Sequence, residues 1–231
     1  MLSIIIPVFN EENTIKEIIK QVESVSLPIK KEIIVVDDGS FDNTKNILEQ
    51  LKKQFNFVLI EHQENQGKGA AIKTGLSETT GDFILIQDAD LELNPQEYPI
   101  LLKPLLEKKA EVVYGSRVLG HNKMEDKKQR NWSFYLGGKF LTFFANFLYG
   151  LDITDESICY KVFKAEILKD IDLEYKGFEF CPEVTAKIAK KGIKIYEVPV
   201  SYNPRSREEG KKTRWRDGLK AVWVLVKYKF K

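Results

Sequence analysis

The sequence predicts an α/β fold: a mostly parallel central sheet flanked by helices. Three observations carry that prediction. Short apolar runs alternate with segments of helical period through the first half of the chain, the pattern of βαβ units. The runs are apolar at consecutive positions, as strands buried on both faces are. Two of them, IIVVDD and FILIQDAD, end abruptly in carboxylates. In open α/β sheets ligands bind beyond the carboxyl ends of the strands, so acids placed there point into a crevice rather than a core.

LSIIIPV is the first strand, and residues 12–25 follow as an amphipathic helix with Ile15, Ile18, Ile19 and Val22 on one face. EIIVVDD is the second strand. Gly39, Ser40 and Asp42 make the turn and start the next helix, whose period Ile47, Leu48 and Leu51 continue. FNFVLIEH is the third strand, and the glycine-rich NQGKGAAIKTG leads into another helix. DFILIQ and EVVYGSR are the fourth and fifth strands.

The second half changes character. HNKMEDKKQR, residues 121–130, is a charged loop without apolar period. WSFYLGGKFLTFFANFLYG is dense in aromatics. It is short for a membrane span and carries Lys139 in its middle, so it reads as a helix laid against something apolar. GIKIYEVPVSY predicts two short strands pivoting on Pro199, and RSREEGKK a polar loop. The final helix, WRDGLKAVWVLVKYKF, places Trp215, Leu219, Val222, Val226 and Phe230 on one stripe.

With 231 residues, 43% hydrophobic and 30% charged, the chain has enough apolar content for one large core and is not a disordered sequence. Cys159, Cys181, His62 and His121 have no metal-ligand spacing, and the two cysteines read as reduced thiols of a cytosolic protein. The opening strand lacks the basic leader and small-residue cleavage site of a signal peptide, so none is expected. Net charge is +2, but residues 205–231 hold ten Lys/Arg against three Asp/Glu, a local +7 against −5 elsewhere. Such a basic tail suits a phosphate-bearing surface, lipid or nucleic acid, or is simply a solvated helix face.

Asp88 and Asp90 share one side if extended geometry persists past the fourth strand. Like charges that close need a neutralising cation, and hard oxygen ligands suit Mg²⁺ or Mn²⁺, which shares its remaining sites with substrate phosphates. The acids therefore point to a nucleotide diphosphate. A solvated acidic turn would explain one such cluster, but two strand ends agree.

In this order and spacing, IIIPVFNEE, VVDDGS, NQGKGAA, QDADLE and GSR resemble family 2 glycosyltransferases, with the Rossmann-like nucleotide-sugar-binding GT-A fold. TDESICYKVFK, GFEFCPE, YEVPVSY and PRSREEGKK resemble the branch of dolichyl- and polyprenyl-phosphate mannose and glucose synthases. The resemblance covers nearly the whole chain. It implies a catalytic domain over residues 1–204, with a nucleotide-sugar half (1–118) and an acceptor half (119–204). Residues 205–231 are then a basic loop and amphipathic helix of the same domain.

The resemblance also implies roles. Pro7, Phe9 and Glu11 line the base and ribose of the donor; Asp38 bonds the base with Val36 beside it. Asp88 reaches the ribose or sugar, flanked by Ala89. Asp90 holds the metal, Mg²⁺ or Mn²⁺, with Glu92, where relatives often carry Gln, as a further ligand. Arg117 meets pyrophosphate or sugar, and Lys68 has the same option, or is a surface lysine at a helix start. GKGAA lacks the GxxxxGK[ST] spacing of an ATP-binding P-loop. The reaction implied is an inverting displacement at the anomeric carbon. A hydroxyl acceptor needs a general base, for which Asp155 matches; a phosphate acceptor is already anionic and needs cations instead, which Arg205, Arg207, Lys211 and Lys212 supply.

The leading expectation is metal-dependent transfer of a hexose from a UDP-glucose- or GDP-mannose-type donor to a polyprenyl phosphate. The enzyme would be cytoplasmic and peripheral on the cytosolic membrane face, with no nucleic-acid partner. The aromatic helix and the final helix would rest on the bilayer. The alternative is a soluble family 2 enzyme acting on a glycan or protein hydroxyl. A sugar-1-phosphate nucleotidyltransferase would carry a glycine-rich stretch where PVFNEE stands, and a non-catalytic adaptor would not keep both acidic sets.

Overall fold

The computed structural model describes residues 1–120, 132–205 and 215–231. HNKMEDKKQR and most of RSREEGKK, with Arg207, Lys211 and Lys212, lie outside the described residues.

Among the described residues seven strands form one sheet. They are β1 (Leu2–Val8), β2 (Lys31–Asp37), β3 (Val58–Glu61), β4 (Phe83–Ile86), β5 (Val112–Ser116), β6 (Lys161–Lys164) and β7 (Ile195–Pro199). The order is β3-β2-β1-β4-β6-β5-β7. Only β6 runs against its neighbours β4 and β5; every other pairing is parallel. The carboxyl ends of β1, β2, β4, β5 and β7 therefore open on one edge, which gathers residues from both halves of the chain.

The helices are α1 (Ile15–Ser24), α2 (Thr44–Lys52), α3 (Lys68–Ser77), α4 (Tyr98–Leu106), α5 (Trp132–Tyr149), α6 (Ala165–Lys169), α7 (Phe180–Lys190) and α8 (Trp215–Phe230). α1 buries the predicted face, Ile15, Ile18, Ile19 and Val22. β2 is apolar from Ile33 to Val36 because both its faces are covered there. Ile33 and Val35 enter the main core, while Ile34 and Val36 pack with Ala71 of α3 on the other side. A second core lies between α5, α7 and α8, built from Leu141, Ala145, Ala186, Ala221, Val224, Leu225 and Tyr228.

Two expectations are corrected. GIKIYEVPVSY forms one strand, not two: Pro199 pairs with Ser116 at the end of β7, and the chain then leaves the ladder. The first helix starts at Ile15, because residues 11–14 make a turn in which the Glu11 carbonyl accepts from the backbone N–H of Thr14 and Ile15. Of the stripe read on the final helix, Trp215, Leu219 and Phe230 are exposed and Val222 and Val226 half-buried, while the face packed on the protein is Ala221, Val224, Leu225 and Tyr228. Four elements had no sequence signal. α4 contains Pro99 and Pro104, which read as breakers but sit in its first and last turns. β6, α6 and α7 lay in a segment whose periods are short or mixed.

Candidate active site

Each parallel strand end delivers one part of the site. After β1 the chain turns through Asn10, a non-glycine residue at φ +49, which brings Glu11 back toward the sheet edge. The turn is tied to the end of β2: Asn10 N–H donates to Ser40 Oγ (2.9 Å), Phe41 N–H to Asn10 Oδ1 (2.9 Å), and Glu11 N–H to Thr44 Oγ1 (2.8 Å). Pro7 and Phe9 lie half-buried on this wall, and Phe41, 83% exposed, meets the Phe9 ring edge-on at 5.8 Å.

The two acids at the end of β2 are both engaged. Asp37 Oδ1 accepts from the backbone and hydroxyl of Ser40 (3.1 and 2.5 Å), which closes the turn into α2. Asp38, 2% exposed, organises the loop after β3. Its Oδ1 accepts from Gln66 N–H (2.9 Å) and meets His62 Nδ1 at 2.7 Å, and its Oδ2 accepts from Gly67 N–H (2.7 Å). Val36 is not on the crevice wall: strand alternation turns its side chain under α3, where it is fully buried. The glycines of NQGKG serve packing. Gly67 has φ +101, and a Cβ there would lie 2.4 Å from the Lys176 carbonyl oxygen; a Cβ on Gly69 would lie equally close to that of Tyr175.

Extended geometry ends at Ile86, so Asp88 and Asp90 do not follow strand alternation. Asp88 pairs with Lys68 at the start of α3, whose ammonium also donates to Cys159 Sγ (3.0 Å). Burial opposes ionisation of Asp88, but Lys68 overrides it and holds the carboxyl below its ordinary range. Asp90 sits in a turn made by Leu91 at φ +60, with its Oδ1 accepting from Glu92 N–H (3.1 Å). Burial, together with the nearby charges of Asp88 and Glu92, raises its pKa to about 7. Ala89 between them is buried. Behind this turn Gln87 Oε1 accepts from the hydroxyls of Tyr98 (2.7 Å) and Tyr160 (2.8 Å), which fixes the strand end.

Arg117 leaves the end of β5 and forks onto Asp155, with Nε–Oδ2 and Nη2–Oδ1 both 2.6 Å; its backbone N–H adds a third bond at 3.0 Å. Burial disfavours the guanidinium charge, but Asp155 more than compensates and raises its pKa. Glu197 of β7 holds the Asp155 loop through the N–H groups of Thr154 (2.7 Å) and Asp155 (3.0 Å).

The chain after β7 then crosses the acids. Arg205 donates to Glu11 (2.9 and 3.2 Å) and to Asp90 Oδ2 (3.2 Å), and its backbone N–H to Glu92 Oε1 (2.8 Å). Tyr202 donates its hydroxyl to Glu92 Oε2 (2.9 Å), and its ring centroid lies 4.9 Å from the Arg117 guanidinium. Of the residues singled out from sequence, Glu11, Lys68, Asp88, Asp90, Glu92, Arg117, Asp155 and Arg205 thus meet along one edge. Tyr202, Glu197, Gln87 and Cys159 stand in quoted stretches but were given no site role, because that role depends on strand neighbours that no local pattern reveals.

Chemically, three carboxylates, Glu11, Asp90 and Glu92, converge where a guanidinium and an N–H now compensate them. That excess negative charge fits a hard divalent cation. No group of three or more His, Cys, Asp or Glu among the described residues is arranged as a metal cage. The arrangement therefore suits an ion held by one or two carboxylates, with substrate phosphates completing its shell.

The model for the family described as "Glycosyl transferase family 2" matches residues 3–172. An uncharacterized protein of Methanocaldococcus jannaschii is 32% identical over 85% of this chain and 86% of its own length. The dolichol-phosphate mannosyltransferase of Pyrococcus furiosus is 28% identical over 98% of this chain, which spans 64% of that enzyme. A UDP-N-acetylglucosamine–dolichyl-phosphate N-acetylglucosaminyltransferase of Methanococcus voltae is 29% identical over 99% of this chain and 96% of its own. Among solved structures, glucosyl-3-phosphoglycerate synthase of Mycobacterium tuberculosis with UDP superposes with a TM-score of 0.77 at 18% identity, covering 100% of this chain and 80% of that one. The fold is therefore the GT-A fold.

Proposed function

We propose that this chain, which belongs to glycosyl transferase family 2, moves a hexose from a nucleotide sugar to the phosphate of a polyprenyl phosphate at the cytosolic face of a membrane. The observation that carries the acceptor class is the state of Asp155. Both its oxygens are bound by Arg117, so the one carboxylate that matches a general base is already engaged. A phosphate acceptor needs no base; it needs cations, and Arg117 and Arg205 stand at the site's edge held by carboxylates they can exchange for phosphate oxygens.

The donor's nucleoside lies over the ends of β1 and β2, against Pro7, Phe9 and Glu11. Asp38 holds the loop that borders it, and reaches the base only if that loop gives way. Asp88 and Lys68 face the sugar and phosphates. Asp90 and Glu92 would hold Mg²⁺ or Mn²⁺, which when bound offsets the charge of the departing nucleoside diphosphate. Arg117 and Arg205 add positive charge where phosphate charge develops. The named relatives that act on dolichyl phosphate support this acceptor class.

The membrane part of the proposal rests on two packed helices. α5 exposes Leu136, Phe140, Phe143 and Phe147, and α8 exposes Trp215, Leu219, Trp223 and Phe230. Large apolar side chains at helical spacing on two neighbouring helices suit an interfacial position, with Lys139 and Lys229 exposed beside them. No helix among the described residues is long and apolar enough to cross a membrane. Lys227 and Lys231 are paired with Glu174 and contribute less to lipid binding than their position suggests.

The test offers UDP-glucose, GDP-mannose and UDP-N-acetylglucosamine, each labelled, with polyprenyl phosphate and Mg²⁺, and counts label in the organic phase. Label entering the organic phase from one donor is the expected result. Label found only on a glycan or protein hydroxyl would replace the acceptor.

A further inference from the structure

One side chain at the end of the YEVPVSY stretch, assigned no role from the sequence, bridges a carboxylate and a cation of the site. Tyr202 follows β7, and because β7 is parallel to β5 it arrives at the same edge as Arg117. Its hydroxyl donates to Glu92 Oε2 at 2.9 Å, and its ring stands 4.9 Å from the guanidinium of Arg117, which is forked onto Asp155. The same short segment donates to Glu92 twice more, from Asn203 N–H to the Glu92 carbonyl (2.9 Å) and from Arg205 N–H to Oε1 (2.8 Å). Glu92 is thus held on both carboxylate oxygens by residues 202–205.

We propose that Tyr202 is a positioning residue for the transfer reaction: its hydroxyl orients Glu92 on the donor side while its ring supports Arg117 on the acceptor side, so one rigid phenol sets the spacing of the two. The inference rests on the reading of Glu92 as a metal-side carboxylate. A phenol suits the task because its ring has two torsions and its hydroxyl lies at a fixed distance beyond the ring plane's edge. A guanidinium over such a ring is held by the ring's negative face without using up its hydrogen-bond donors. Carboxylates that bind metals are in turn oriented by hydrogen bonds from neighbours, and loss of such a neighbour weakens binding about 10- to 100-fold. Displacement chemistry needs donor and acceptor brought to near-contact distance, so a group that fixes their supports relative to each other affects rate as well as binding.

Two substitutions separate the halves. Tyr202→Phe keeps the ring and removes the hydroxyl; Tyr202→Leu removes both. Mn²⁺ binding to the purified chain, read by the electron paramagnetic resonance of free Mn²⁺ without donor or acceptor, should weaken about tenfold in Tyr202→Phe. In a Glu92→Gln background, already weakened itself, the same substitution should add nothing. At saturating Mn²⁺, Tyr202→Phe should keep kcat within about threefold, whereas Tyr202→Leu should lose about a hundredfold as Arg117 loses its support. Thermal melts of all variants show that the fold is retained. Wild-type Mn²⁺ affinity in Tyr202→Phe overturns the proposal, as does an equal loss in the Glu92→Gln background or an unaltered kcat in Tyr202→Leu. The Mn²⁺ measurements use no acceptor, so a transfer assay that finds a different acceptor overturns the functional proposal alone.

Discussion

Replacing Asp90 by Asn should stabilise the metal-free protein while destroying its activity. In the fold Asp90 has a pKa near 7 rather than 3.8, because burial and the charges of Asp88 and Glu92 disfavour its ionised form, even with Arg205 beside it. The folded chain therefore holds more protons than the unfolded chain between those two values. Stability falls as pH rises through that window, and above it the full penalty is present. Three units at 1.36 kcal/mol each give a ceiling of about 4 kcal/mol, and solvent reaching a carboxylate that is 17% exposed lowers this to roughly 2 kcal/mol. For a chain of this length that is a rise in Tm of about 4–8 °C at pH 8 in EDTA, and almost none at pH 4. Calorimetric melts at the two pH values read it directly. Mn²⁺ at a hundred times Kd should then stabilise the wild type by about 2.7 kcal/mol, seen as a higher Tm, but barely the variant. Turnover should fall by about two orders of magnitude or more. An Asp90→Asn protein that melts below the wild type at pH 8 in EDTA would refute the reasoning, since it would mean the Arg205 pair outweighs the repulsion.

Three further outcomes are expected. Asp155→Asn should lower kcat about tenfold or more by releasing Arg117, while the acidic limb of the pH–rate profile keeps its shape; loss of that limb would make Asp155 a base and the acceptor a hydroxyl. Gln87→Leu should strand the buried hydroxyls of Tyr98 and Tyr160 at about 1–3 kcal/mol each, seen as a fall in Tm of at least about 4 °C, and an unchanged melt would contradict the pairing. Phe143→Glu combined with Trp223→Glu should abolish flotation with anionic liposomes yet leave turnover of a short water-soluble acceptor unchanged; wild-type protein that never floats at low salt would remove the membrane surface from the proposal.

The sequence by itself determined β1 to β5 and the acids at the ends of β2 and β4, but not β6, the strand that joins the two halves of the sheet. β1, β2 and β4 were legible because a strand covered on both faces is apolar at consecutive positions, and acids interrupt that run where β2 and β4 end. Those acids and the basic residues were also legible as types. Their partners were not. Asp88 chose Lys68, Asp90 chose Arg205 and Asp155 chose Arg117 because strands far apart in the chain lie parallel in the sheet and end on one edge. The same limit hid Tyr202, which means nothing until β7 docks on β5. It also decided the final helix: its sequence carries two apolar stripes, and only packing against α5 and α7 selected Ala221, Val224, Leu225 and Tyr228 for burial and left Trp215, Leu219 and Phe230 outside. Periodicity is a property of neighbours along the chain, so it names an element and its candidate faces; which face is buried, and which charge meets which, depends on surfaces that come together only when the sheet has formed.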